Sequence, residues 1–168
     1  MHTTIDSYAQ LDFVTRRIIK AWVARERSRP IPWTPLRRPL SQSTVALVSS
    51  AGIALHDDRP FDEQGERRNP WWGDPSHRVV PHGTTAQEVG IHHMHIDRRF
   101  AEADLDVVLP SHRLEELVRE GIVGRAAPEH YSIMGYILRP EVLETETAPT
   151  IAARMRALGV DAAVLVPV

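Results

Sequence analysis

The stretch Val45-Ala46-Leu47-Val48-Ser49-Ser50-Ala51-Gly52 holds four consecutive apolar side chains, then small residues and a glycine. A strand with one face in water alternates apolar and polar residues, whereas a strand covered on both faces does not. This run therefore reads as an inner strand of a parallel sheet, followed by a tight turn. Such turns, at the carboxyl ends of parallel strands, are where α/β proteins place ligands. The turn carries one glycine, so it is not a dinucleotide-binding fingerprint.

Downstream, the chain alternates strand and helix signals. Arg78-Val79-Val80-Pro81 reads as a second short strand and Glu88 to Asp97 as a third. Asp106-Val107-Val108-Leu109-Pro110 leads into Ser111, a good N-cap, and Leu114, Leu117 and Val118 line one face of a helix that stops at Gly121. Residues 149–158 form the last helix. Pro149 suits its first turn, Ile151, Met155 and Leu158 make its buried stripe, and Gly159 ends it. Ala162 to Val168 is a final apolar strand. The segment from His56 to Pro75 is polar and proline-rich and reads as a long surface loop anchored by Trp71 and Trp72. Asp62 and Asp74 read as turn formers, and Glu115, Glu116, Arg119 and Glu120 as a solvated helix face.

Upstream, Ile5, Tyr8, Leu11, Val14, Ile18 and Trp22 recur at helical spacing, which predicts an amphipathic helix over 5–27 with Asp6 and Ser7 near its cap. Pro30, Pro32, Pro35 and Pro39 then impose an extended connector, from which Trp33 packs on the body. The expected architecture is α/β: a mainly parallel sheet flanked by helices, with an N-terminal amphipathic helix. The expected division is 1–40, helix and proline-rich connector, and 41–168, the α/β domain. The helix needs a surface to cover its apolar face, and the reading favours a homodimer.

The formal net charge is −2 over 168 residues, so bulk charge argues for neither nucleic acid nor an acidic membrane surface. No apolar run reaches the ~18 residues of a membrane span. A soluble cytoplasmic protein is the expectation. Cys is absent from the sequence, so these residues supply no disulfide, thiolate ligand or thiol nucleophile.

Histidine is the informative residue. Ile91-His92-His93-Met94-His95-Ile96-Asp97 places three of the nine histidines within four residues. On an extended strand His93, His95 and Asp97 share one face and His92, Met94 and Ile96 the other. Two imidazoles on one face can converge on an ion, with Asp97 or the distant His130 completing the set. Such donors suit Zn²⁺, Fe²⁺ or Mn²⁺. His93, His95, Asp97 and His130 are the candidate catalytic residues, and His93, His95 and His130 the candidate metal ligands; His92 reads as structural. His-x-His-x-Asp is also similar to the metallo-β-lactamase pattern, although Arg98 stands where that family places a histidine. His95, Asp97 and His130 are similar to an iron facial triad.

Several segments together resemble the selenoprotein B family of glycine, sarcosine, betaine and D-proline reductases. They are Val45 to Gly52 with Pro60-Phe61-Asp62, and Gly73-Asp74-Pro75-Ser76-His77-Arg78 with Pro81. His92-His93 through Asp97 follow, then Val107-Val108-Leu109-Pro110 with Arg113-Leu114. Gly121-Ile122-Val123-Gly124, Ala127-Pro128-Glu129-His130-Tyr131-Ser132-Ile133-Met134-Gly135 and Asp161 to Val168 complete the series. Order and spacing agree from residue 44 onward.

The resemblance implies a pocket for an amino-acid-like small molecule, with Ser49, Ser50, Arg78, Tyr131 and Ser132 as candidate substrate-binding residues. Arg78 would clamp a carboxylate. In that family a thiol or selenol, borne by a motif after the last strand, attacks the substrate C–N bond, and this sequence offers none. Three readings follow. The first is a small reductase-like enzyme with a His-bound divalent metal, performing redox or C–N bond chemistry. The second is a non-catalytic subunit giving half of a pocket to a redox-active partner protein. The third is a metal-dependent hydrolase built on the His-x-His-x-Asp segment.

Overall fold

The computed structural model describes residues 8–9, 11–25, 30, 33–69 and 72–168. The chain divides into two compact units, Met1–Pro35 and Leu36–Val168.

In the first unit a single helix, α1, spans Phe13–Val23. It is shorter than the periodicity predicts, because Tyr8 and Leu11 close a turn before it. The cap is Asp12, whose Oδ1 accepts the Val14 and Thr15 N–H groups at 2.9 and 3.0 Å. Ile5, Asp6 and Ser7 lie outside the described residues. The apolar face of α1 is open, with Phe13, Val14, Ile18, Trp22 and Val23 all exposed.

In the second unit the stretch from Val45 forms β1 (Thr44–Ser49), the centre of the sheet. β7 (Ala162–Val166) runs parallel to β1 over its whole length. β5 (Arg125–Ala126) and β6 (Glu129–Ile133) also pair parallel to β1, at Thr44–Val45 and at Val48–Ser49. A strand has only two edges, so β5 and β6 share the second edge as one broken strand. β3 (His77–Pro81) closes that side, antiparallel to β6. A separate antiparallel pair joins β2 (Ile53–Leu55) to β4 (Val89–Ile91).

Helices flank the sheet as expected for an α/β protein. Val45 and Leu47 point into the main core with residues of α3 (Arg98–Ala103), the turn Leu105–Val107 and α4 (Ser111–Arg119). Leu47 is 2% exposed, and burial of that kind contributes roughly 1.5–3 kcal/mol per side chain. Val48, on the other face, lines an apolar groove with Ile133 and with Ile151 and Met155 of α5 (Ala148–Ala157). α5 continues a π-helical turn at Leu143–Thr147.

Three expectations need correction. Ser111 is the first residue of α4 and not its cap; the Asp106 side chain accepts the His112 N–H instead, at 3.0 Å. The segment 56–75 is not all loop, since it contains a short helix, α2 (Glu63–Arg68), with Asp62 capping it through the Gly65 N–H. Trp71 lies outside the described residues, while Trp72 packs beside Gly65. The third correction concerns the histidines. The extended run stops at Ile91 and does not continue to Asp97. The register that pairs Ile53 with Ile91 would set Ala51 opposite His93, but Ala51 bridges Met134 instead. Gly52, at φ +63°, turns the chain away between the two. His92 to Asp97 therefore forms a turn leading into α3.

A histidine turn at the carboxyl ends of the parallel strands

The turn from Ser49 to Gly52, the end of β6 and the histidine turn meet at one place. Gly52 donates its N–H to the Ile133 carbonyl and accepts that of His92, both at 2.9 Å. A side chain at Gly52 would meet the Met134 sulfur at 2.5 Å. One at Gly135 would lie 2.6 Å from His93 Nε2 and 2.9 Å from the Ser50 carbonyl oxygen. The two glycines thus allow the His93 ring to reach the floor formed by the strand ends. β7 joins the same place, because Ser50 donates its N–H to Val166 and its hydroxyl accepts that of Val168.

His93 and His95 come together by a different route from strand alternation. His93 is buried and His95 exposed. The His95 backbone N–H donates to His93 Nδ1 at 3.1 Å, and the two rings meet edge to face at 5.9 Å. Burial pushes the His93 pKa below the ordinary imidazole value, and His95 and Arg98 push the same way. His93 is therefore a neutral imidazole with its proton on Nε2.

Two carboxylates from α2 meet this turn. Glu63 accepts from His92 Nδ1 at 3.0 Å and pairs with Arg98 at 3.4 Å. Burial would raise the Glu63 carboxyl, but the His92 and Arg98 contacts outweigh it and hold the pKa low. Glu66 lies 2.8 Å from His95 Nε2. The His95 ring also packs on Tyr136, with centroids 4.4 Å apart. Glu63, Glu66 and Tyr136 escaped the sequence reading, and Gly135 was read only as part of the family resemblance. The available signal was Glu63-x-x-Glu66, an i, i+3 pair that a helix places on one face.

The other candidate residues fall elsewhere. Asp97 caps α3 through the Arg99 N–H and pairs with the Arg99 side chain at 2.6 Å. Ser49 Oγ accepts the Ala51 N–H, and Ser132 Oγ the Ile53 N–H at 2.6 Å. Tyr131 is fully buried, and its hydroxyl donates to Glu129 at 3.4 Å. Arg78 is buried and donates to the carbonyls of Arg59, Pro60 and His77 and to Ser76 Oγ, with its guanidinium 4.2 Å from the Phe61 ring centre. It holds the loop before α2 and reaches His92 only through Phe61.

His130 sits on β6, and both its nitrogens are engaged. Nδ1 accepts the Leu47 N–H at 3.2 Å, so Nε2 carries the proton and donates to His82 Nδ1 at 3.0 Å. His82 Nε2 in turn donates to Glu115 at 2.5 Å, so Glu115 is not simply solvated. Burial and then His82 push the His130 pKa down to about 4.

A divalent metal on His93, His95 and His130 does not fit these contacts, because His130 is bonded on both sides. Among the described residues no group of three or more His, Asp or Glu side chains is arranged to hold an ion. The same geometry removes Asp97 as a third ligand.

Comparison with known proteins places the chain in a family. Residues 23–168 match the glycine/sarcosine/betaine reductase selenoprotein B family. Over 136 residues the chain is 30% identical to the D-proline reductase subunit gamma of Acetoanaerobium sticklandii, which covers 81% of this chain and 53% of the relative. The chain thus spans about half the length of the curated relative it matches. No solved structure matches the chain. Among the described residues no helix is long and apolar enough to cross a membrane. With most of its length matched, including β1, the histidine turn and the last strand, the chain belongs to the glycine/sarcosine/betaine reductase selenoprotein B family.

Proposed function

We propose that this chain forms the substrate side of a reductase site and works with a protein partner that brings the thiol or selenol. The observation that carries the reading is the meeting of His93, His95, Ser50 and two glycines at the parallel strand ends, in a sequence with no cysteine. The ligand is a small amino-acid-like molecule, the class named in the descriptions of the family and of its D-proline reductase relative. The histidines bind it and handle its protons, while the redox group comes from outside these residues. Assembly belongs to the same reading: α1, with its open apolar face, packs on a second copy of the chain.

Imidazole and backbone NMR of the labelled chain tests the pocket. Glycine, sarcosine, betaine and D-proline are added in turn, and at least one should shift His93, His95 and Tyr136 together. No shift at these residues with any of the four would overturn the reading. Incubation with a dithiol tests the division of labour: the chain alone should not cleave any of these compounds reductively. Sustained turnover without a second protein would place the redox chemistry in this chain.

A further inference from the structure

Glu66 is unusual for a glutamate on a six-residue surface helix. It is 2% exposed, one of its oxygens meets His95 Nε2 at 2.8 Å, and the other, Oε2, is buried without a partner. Among the described residues it is the one buried side-chain polar atom in that condition. A buried carboxylate with an unmatched oxygen is a poor route to stability, since apolar replacements of such pairs are often neutral or better. The arrangement calls for an account in terms of what the carboxylate does to His95.

A carboxylate only accepts, so in the neutral ring the Nε2 of His95 must carry the proton and Nδ1 the lone pair. Three contacts hold the residue: Glu66 at Nε2, the Tyr136 ring tilted against it with centroids 4.4 Å apart, and the backbone N–H bond to His93. The His95 side chain is still 52% exposed. We propose that Glu66 is a positioning residue for proton transfer: it holds His95 with Nε2 protonated and presents Nδ1 as the base for an amine-bearing ligand. This rests on the reading of the pocket given above. A ligand ammonium gives its proton to Nδ1 and becomes the neutral amine. The imidazolium keeps its Nε2–H on the Glu66 carboxylate and releases the new proton to water from its exposed side. His93 cannot do the same, because its Nδ1 already accepts the His95 N–H.

Nitrogen-15 imidazole spectra of the full chain, wild type and Glu66→Leu, test the proposal. In the wild type at mildly alkaline pH, the His95 Nε2–H should be protected from exchange and visible as a downfield resonance; its absence overturns the proposal outright. In Glu66→Leu that resonance should be lost while His93 keeps its spectrum, which shows that the turn is still folded. D-Proline provides the functional arm. It should shift His95 Nδ1 in the wild type, and in the variant shift His93 but not His95 Nδ1. An equal Nδ1 response in both proteins overturns the positioning role. If D-proline shifts neither protein, its binding in the pocket fails, while the protected Nε2–H still decides the role of Glu66.

Discussion

Acid should weaken this fold through one side chain, His130. The imidazole is fully buried on β6, and its pKa falls from 6.5 to about 4. A proton added to it has no acceptor: Nδ1 faces the Leu47 N–H, and Nε2 already donates to His82. The unfolded chain takes up that proton near the ordinary value, so it binds more protons than the folded chain as pH falls through the interval. Stability is therefore lost from about pH 6.5 downward and levels off below about pH 4. The shift of about 2.5 units corresponds to about 3 kcal/mol in full, of which about 2 kcal/mol is lost between about pH 7.5 and about pH 5. Urea unfolding at these two values measures it, with His130→Asn as the reference, because the asparagine oxygen can still accept the Leu47 N–H but does not titrate. His77 and His93, whose pKa values burial also lowers, contribute equally to both proteins and cancel. The wild type should lose about 2 kcal/mol more than the variant over this interval. Equal losses would show that His130 is not held as a neutral ring.

Other expectations follow from particular contacts. Gly135→Ala places a carbon 2.6 Å from His93 Nε2 and 2.9 Å from the Ser50 carbonyl; it should destabilise by about 1–3 kcal/mol and displace the His93 resonances, and an unchanged urea midpoint would refute the close approach. Zinc should bind weakly, because His130 and Asp97 are engaged elsewhere; one equivalent retained through desalting, and lost in the His93→Ala/His95→Ala double variant, would restore the metal reading. Sedimentation should show a dimer that deletion of residues 1–29 converts to a monomer or an aggregating chain. A wild-type monomer at micromolar concentration would refute the role given to α1.

Three of the five strands of the sheet were legible because their signals are local, whereas β5, of two residues, and the largely polar β6 gave no such signal and were not read. Val45 to Val48, Val79-Val80 and Ala162 to Val166 each contain enough apolar and β-branched side chains to mark a strand without reference to the rest of the chain. The site was only half legible. His93 and His95 were visible as a cluster, but strand alternation gave the wrong reason for their meeting. What brings them together is Gly52 at φ +63°, which redirects the neighbouring segment and ends β2–β4 pairing at Ile91. No periodicity in 91–97 carries that information. Glu66 was missed for a similar reason, since its spacing from Glu63 is informative only once a helix is recognised there. Its partner lies 29 residues away, and a short polar helix in a proline-rich stretch gives no hydrophobic pattern. Arg78 carried a double meaning: a lone arginine beside a strand reads as a carboxylate clamp, yet here it is drawn inward by three carbonyls of its own chain.

Two histidine–glutamate systems in this unit share parts and differ in openness. His130 reaches Glu115 through His82, and every ring nitrogen along that path is matched by a donor or an acceptor. A proton arriving at His82 would set two N–H donors against each other across 3.0 Å, and one arriving at His130 Nδ1 would set it against the Leu47 N–H across 3.2 Å. Such a chain fixes tautomers and closes the gap in the sheet where His130 takes the Leu47 N–H, so it serves the fold. His95 meets Glu66 directly at 2.8 Å, and a proton arriving on Nδ1 leaves that bond intact and brings a positive ring to a buried carboxylate. The difference lies in the second nitrogen. Where it is engaged by the protein, the imidazole belongs to the architecture; where it is left to a half-exposed ring at the strand ends, it is available to a ligand. That distinction, and not the density of histidines in the sequence, is why the proposed proton transfer is placed on His95 and not on His130.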